Sequence, residues 1–225
     1  MSIGENLQLI QQRIEAACFR TKRNPAEVQL MGVVKDQCSA SIKEAYAAGL
    51  RLFGENRTQE ADIHQTELSD LDIDWHFIGK LQKNKINKVL RSFKLIQTVD
   101  GVKNIEHIQK RISDPVDVFL EVNVGEEKNK SGFTIDGLVK ALPYISTMNR
   151  VVIKGLMAIP PFSDDPEDSR SYFRSLKTLA DEINGKKMPS VKIAHLSMGM
   201  SQDFEVAIEE GSTMVRIGTA LFGRR

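Results

Sequence analysis

Cysteine is scarce in this chain: Cys18 and Cys38 are the only two in 225 residues, and they form no CxxC pair. Neither a disulfide framework nor a thiolate zinc site is supported, and both residues read as small apolar fillers. Charge of one sign is also lacking, because 31 Lys and Arg are set against 30 Asp and Glu. No overall field draws the chain to nucleic acid or to an anionic membrane. No apolar run nears the ~20 residues needed to cross a bilayer. The opening MSIGENLQLIQQRIEAA holds neither the basic region nor the apolar core of a signal peptide. A cytoplasmic protein is expected. The segment VVKDQCSAS, which follows the first apolar run, contains no glycine. That argues against an open doubly wound sheet with a dinucleotide turn. His64, His76, His107 and His195 show no metal-ligand spacing, and Ser201 sits in GMSQD rather than GxSxG. No metal and no nucleophile elbow are assigned.

What is present is alternation. With 41% hydrophobic and 27% charged residues, the chain can bury a sizeable core. Strand-like runs fall at 28–34, 52–53, 75–78, 95–99, 116–124, 152–159, 192–196 and 213–217. Helical patterns separate most of them, at 39–48, 59–68, 85–93, 103–112, 136–144, 169–184 and 203–210. An additional helix at 3–20 precedes them, with Leu7, Ile10, Ile14 and Ala17 or Cys18 on one face. Parallel β/α units repeated in this way predict an α/β fold, a (β/α)8 TIM barrel over 1–225 as one domain. The last strand is followed by only a helical stub, TALF, so the N-terminal helix is expected to cover that side of the barrel.

Two turns near the C-terminus are rich in small polar residues. Ser197, Gly199 and Ser201 follow the seventh strand, and Gly218 and Thr219 follow the eighth. Backbone N–H groups at such strand-to-helix turns attract anions, and barrels often place phosphate after strands seven and eight. The same residues also serve as ordinary helix caps, so the turns alone leave both readings open. Lys35, at the end of the first strand, is open in the same way. A desolvated amine condenses with aldehydes, whereas a lysine with its stem on apolar neighbours and its ammonium in water does nothing chemical. The stretch GKLQKNKINKVLRSFK carries six cations and no acid. It reads either as a dock for a phosphate-rich partner or as the solvated face of an outer helix. The acidic segment FSDDPEDS at 162–169 reads as a surface connection.

Five segments bear a family resemblance: VVKDQ at 33–37, FGEN at 53–56, HFIGKLQKNK at 76–85, GLMAIP at 155–160, and LSMGMSQDFEVAIEEGSTMVRIGTALFG at 196–223. Together they resemble the pyridoxal phosphate homeostasis proteins, whose barrel is related to the N-terminal domain of alanine racemase. The resemblance implies pyridoxal 5′-phosphate (PLP) as cofactor, held as a Schiff base on Lys35. It further implies that Ser201, Gly218 and Thr219 hold the phosphate, that Ser197 lines the site, and that Arg216 faces the pyridine nitrogen. Asn56 and Met157 with Ala158 are expected to line the mouth or pack on the ring, or else to shape the barrel rim. An arginine only donates hydrogen bonds, so it keeps a ring nitrogen unprotonated and weakens the ring as an electron sink.

The implied function is PLP homeostasis: a monomer that buffers the cofactor and delivers it to PLP-dependent apoenzymes without robust catalysis. The alternative is a PLP-dependent amino-acid racemase, with weak activity if any. Racemisation needs a second acid/base, a tyrosine in alanine racemase that comes from another domain. Here Tyr46, Tyr144 and Tyr172 all lie away from the strand ends. The chain departs from the family at Val34, where Ser is common, and at Asp36, where Thr or Tyr is usual. Strand alternation turns such neighbours off the lysine's face.

Overall fold

The first helix begins where Ser2 caps it. In the computed structural model, which describes residues 1–223, the Glu5 N–H donates to Ser2 Oγ (3.2 Å) and the Ser2 N–H donates back to Glu5 Oε2 (2.7 Å). This reciprocal box satisfies two donors that no helical carbonyl can reach. Helix α1 (Ile3–Arg20) buries Leu7, Ile10, Ile14, Ala17 and Cys18, the face set by its apolar spacing.

Eight parallel strands then close on themselves in sequence order. They are β1 (Gln29–Val33), β2 (Leu52–Glu55), β3 (Asp74–Phe77), β4 (Leu95–Val99), β5 (Val116–Glu121), β6 (Val151–Met157), β7 (Val191–Ser197) and β8 (Met214–Ile217). Closure is non-local: Gln29 to Gly32 of β1 pair with Met214 to Ile217 of β8. Between strands run α2 (Ser39–Ala47), α3 (Thr58–Glu67), α4 (Ile86–Ser92), α5 (Val102–Gln109), α6 (Ile135–Ile145), α7 (Arg170–Gly185) and α8 (Phe204–Glu209), and α9 (Thr219–Phe222) follows β8.

The expected (β/α)8 barrel with its additional helix is therefore the observed fold. Helix α1 packs against α2, α8 and the short α9, and the Asn6 side-chain amide donates to Leu221 O at 2.9 Å. Arg20 reaches Glu205 and Glu209, and Arg170 reaches Glu209 and Glu210, which ties α1, α8 and α7 together at the surface. Exposed pairs of this kind add little individually, and the buried α1 face holds the helix. Among the described residues no helix is long and apolar enough to cross a membrane.

Several boundaries shift from the expected ones, and two of the shifts have a clear cause. The fifth strand stops at Glu121 rather than Val124, because the chain folds back on itself there. The Phe133 N–H bonds Glu121 O at 2.8 Å and the Asn123 N–H bonds Phe133 O at 2.9 Å. Gly132, at φ +112, allows that approach: a Cβ there would stand 2.8 Å from Asn123 N. The basic stretch after β3 begins as a 3-10 turn, Lys83–Lys85, before α4. Lys88 pairs with Asp62 and Lys94 with Asp74, so part of its charge is already neutralised on the outer face.

The core has two parts. One lies between strands and helices and includes Phe53, Phe77, Phe173 and Phe204. The other lies inside the barrel, where Met31, Phe119, Met157 and Met214 meet. Small residues on neighbouring strands make room for it: a Cβ on Gly54 would come within 2.5 Å of Met31 Sδ, and one on Gly155 within 2.7 Å of the Phe119 ring.

Candidate functional site

Alternation along the strands decides what enters the barrel. On β8, Met214 lies in the inner cluster and Val215 in the outer one, so Arg216 turns inward again. Its guanidinium is almost wholly buried, at 4% exposure. Nη1 donates to Ser197 O (2.6 Å) and Ser197 Oγ (2.8 Å), and Nη2 donates to Ala158 O (2.9 Å). Burial pushes its pKa down to about 10, opposed by the charges of Asp203 and Glu121. It stays a cation at neutral pH. The remaining Nη2 hydrogen and the Nε hydrogen have no protein acceptor among the described residues.

Ser197 ends β7 and passes its own hydrogen on. Its Oγ donates to Gln97 Oε1 at 2.6 Å, and Gln97 Nε2 lies 2.9 Å from His76 Nδ1. Burial holds His76 far below the ordinary histidine range, at about 4. Glu121 closes β5 in the same row as Met157 and Ser197 on the next two strands. Its burial, with Asp100 near, pushes its carboxyl up to about 7 against the pull of Arg216 and Lys80.

Above this floor the two small-residue turns meet. Ser201 Oγ accepts the N–H of Ala220, in the first turn of α9, at 3.2 Å. That bond joins the β7 turn to the β8 turn. Gly199 holds φ +94, and a Cβ there would lie 2.5 Å from Ala207 Cβ, so the first turn accepts only glycine. Gly218 differs. A Cβ there would meet nothing nearer than Val33 Cβ and O at 3.6 Å, so protein packing does not demand glycine. The Gly218 turn stands beside the end of β1.

Lys35 lies just past that end. The β1 ladder continues to the Val34 N–H, bonded to Gly54 O at 3.1 Å, and Lys35 follows in the turn. Val34 is fully buried in the outer core, and the chain turns at Lys35 and Asp36 directly after it. The turn is pinned from α3: the Asp36 N–H donates to Glu60 Oε2 (3.1 Å) and Arg57 Nη1 to Asp36 Oδ1 (2.9 Å). Asp36 adopts φ 53, a left-handed conformation that Asp tolerates better than most residues. The unusual Asp36 and the Arg57 after FGEN thus form one pair. Lys35 itself is exposed in this turn.

The model of the alanine racemase N-terminal domain family matches residues 5–225. A pyridoxal phosphate homeostasis protein of Aquifex aeolicus is 44% identical over 228 residues, covering 100% of this chain and 99% of that protein. The chain belongs to the pyridoxal phosphate homeostasis protein family. PipY of Synechococcus elongatus, solved with PLP bound, is 37% identical with a TM-score of 0.84, covering 99% of this chain and 100% of that one. Alanine racemase of Clostridium difficile shares only the fold, at 15% identity and a TM-score of 0.73, over 98% of this chain and 57% of that one.

In this family member Arg216, Ser197 and Ala158 are in direct contact, and Ser201, Gly218 and Thr219 stand on adjoining turns. Asn56 follows β2 with its Oδ1 buried and without a partner. Met157, level with Ser197 on the neighbouring strand, packs in the apolar layer with Met31, Phe119 and Met214. Two groups went unnoticed in the sequence, Gln97 and Glu121, while His76 was read there only as a histidine without metal-ligand spacing. Neither Gln97 nor Glu121 belongs to a motif of chemistry. The available signal was a polar residue at an inward strand position, where barrels carry branched apolar side chains.

Proposed function

We propose that this protein binds PLP with Lys35 as its covalent anchor, as a single barrel unit over 1–225, and serves cofactor homeostasis rather than turnover. The observation that carries the proposal is the common lip formed by three elements. The Lys35 turn follows β1, whose Val33 stands 3.6 Å from a Cβ placed at Gly218, and Ser201 ties the Gly218 turn to its own.

The residues fit the group. A phosphate finds the Ser201 and Thr219 hydroxyls and the Thr219 N–H that opens α9, with no side chain at Gly218 to bar close approach. A ring nitrogen finds the two unengaged N–H groups of Arg216. The buried, unpartnered Asn56 Oδ1 offers an acceptor at the rim. When bound, PLP supplies an aldehyde that condenses with a neutral amine and releases water. Lys35 presents that amine, Arg216 fixes the ring's orientation without giving it a proton, and Ser197 and Ala158 fix Arg216.

The racemase alternative is not favoured. Tyr46, Tyr144 and Tyr172 lie on α2, α6 and α7, outside the barrel, and the Tyr144 hydroxyl donates to Glu106 at 2.8 Å. No tyrosine among the described residues stands at a strand end to act as the second acid/base. We propose further that the protein works as a cytoplasmic monomer and gives up PLP to apoenzymes.

The test is incubation of the protein with PLP, borohydride reduction and peptide mapping, repeated on Lys35→Ala. One reduced adduct on Lys35, lost in the variant, is the expected result. An adduct scattered over surface lysines, or unchanged in Lys35→Ala, overturns the proposal.

A further inference from the structure

Four polar side chains cross the inside of this barrel in single file: Arg216 at 4% exposure, Ser197 and Gln97 at 0%, and His76 at 7%. Buried polar groups are tolerated when every one is satisfied, and then they hold one arrangement firmly. This file has only one proton order that works. Arginine cannot accept a hydrogen bond, so Nη1 donates to Ser197 Oγ and the serine hydrogen must go elsewhere.

Gln97 Oε1, 2.6 Å away, takes it. That fixes the side-chain amide with its nitrogen toward His76 Nδ1 (2.9 Å) and Met214 Sδ (3.1 Å). An inverted amide would present donors to a serine oxygen already engaged by Arg216 and leave the serine hydrogen with nothing. His76 must then offer a lone pair on Nδ1 and carry its hydrogen on Nε2. Burial keeps the ring neutral, with Lys94 and His195 acting in the same sense and Asp74 against them. His76 also lines a cavity of about 590 Å³ at the N-terminal end of the barrel, where Gln11, Arg51 and Asp74 join it. The file therefore runs from the floor of the barrel to the guanidinium beneath the mouth.

We propose that Gln97 and His76 are positioning residues for the cofactor: they anchor a one-way hydrogen-bond relay that holds Arg216 with its free N–H groups toward the pyridine nitrogen. The inference rests on the reading that Arg216 faces that nitrogen. Without Gln97, the Ser197 hydrogen has no acceptor in the file and Ser197 turns. Nη1 then keeps only the Ser197 carbonyl, and the guanidinium is held by two hydrogen bonds in place of three, to Ser197 O and Ala158 O, so that it can tilt about them.

The experiment has two readouts. First, ¹⁵N NMR of the wild-type protein without added PLP reports the His76 tautomer, with Nε2–H expected from neutral pH down to about pH 5. An Nδ1–H tautomer would overturn the relay whether or not PLP binds. Second, the absorption band of bound PLP and its pH dependence are measured in wild type, Gln97→Leu, His76→Leu and His76→Asn.

Asn offers an oxygen where Nδ1 stood, so His76→Asn is expected to restore the wild-type band. The two Leu variants are expected to shift the band and to raise the PLP dissociation constant about tenfold, the loss associated with one hydrogen bond to a charged group. A wild-type band in Gln97→Leu, or equal effects of His76→Leu and His76→Asn, refutes positioning and leaves only packing. Failure of the underlying reading shows separately, as wild-type protein with no reducible adduct on Lys35.

Discussion

Glu121→Gln is expected to stabilise the protein at alkaline pH and to leave it unchanged in acid. The Glu121 carboxyl, at the end of β5 in the barrel mouth, has its pKa raised from 4.5 to about 7 by burial and by Asp100. The folded state therefore binds this proton more tightly than the unfolded chain does. Stability from the neutral carboxyl is fully present below pH 4.5 and is lost as pH rises through about 7. The gap between those values, at ~1.4 kcal/mol per pH unit, bounds the loss at about 3 kcal/mol. That value already includes the opposing pull of Arg216 and Lys80, and solvent screening of a partly exposed carboxyl brings the expected difference to about 1–3 kcal/mol at pH ~8.

The assay is urea unfolding of wild type and Glu121→Gln at several pH values, without PLP. Glutamine keeps the size of the side chain and removes only the ionisation, so other titrating groups cancel in the difference. The two proteins should unfold alike near pH ~4.5, with the variant gaining progressively through neutrality and then levelling off. Equal m-values are required, so that the comparison concerns stability and not the extent of unfolding. A difference independent of pH would refute the reasoning. So would a variant less stable than wild type at pH ~8, because it would mean that the ionised carboxylate is held by the site and not penalised by it.

Three further outcomes follow from the geometry. Gly218→Ala should unfold within about 0.5 kcal/mol of wild type, since its Cβ meets Val33 only at 3.6 Å, yet it should bind PLP more weakly; wild-type affinity in a PLP titration would remove Gly218 from the phosphate site. Gly79→Ala should lose ~3 kcal/mol or fail to fold, because its Cβ would stand 1.9 Å from Asn56 O, a backbone atom that cannot step aside; an unchanged melting temperature would contradict that packing. His64 has its pKa raised above 6.5 by the bond from Nδ1 to Glu55 Oε1 at 2.7 Å, while Nε2 faces Gln37 O at 3.0 Å, so the doubly protonated ring satisfies both acceptors. Its stabilisation should be complete below pH 6.5 and disappear as pH climbs through the raised value, which NMR titration of His64 and a flattened stability profile in Glu55→Gln would verify.

How much of this was legible in the sequence depended on how local the cause was. The barrel could be read because each strand and helix announces itself by its own periodicity, and β4 came out with the same ends in sequence and structure, Leu95–Val99. The turns at Ser201 and Gly218 were legible because turn chemistry is written in a few adjacent residues. The end of β5 was not, because it is set by Phe133 returning to bond Glu121 O. Nor was the role of Asp36, which depends on Arg57 and Glu60 from the next β/α unit. Gln97 illustrates the general limit: it bonds Ser197, one hundred positions away, and nothing near it in the chain points there.

The site divides into a fixed half and an accessible half, and that division suits holding better than turnover. Arg216, Ser197, Gln97 and His76 are buried and joined in one file of hydrogen bonds. Lys35 and Thr219 are exposed at the lip. On the proposed reading, the buried half sets the orientation of the ring and the exposed half sets exchange, because water or a second amine can reach the anchoring position without the barrel opening. A catalyst of carbanion chemistry would need the reverse: a desolvated lysine and a second acid/base facing it across the substrate. On the proposed reading the group at the ring nitrogen is an arginine that donates and never accepts, so it would orient the ring without making it a stronger electron sink. Release should therefore respond to substitutions that bury or crowd Lys35, and orientation to those that loosen Arg216. Stopped-flow measurement of PLP transfer to an apoenzyme, compared between a bulky substitution of the exposed Gln37 neighbour Cys38, Cys38→Trp, and Gln97→Leu, separates the two. Slower transfer with an unaltered absorption band is expected for Cys38→Trp. An altered band there, or transfer at the wild-type rate, would show that the two halves are not independent.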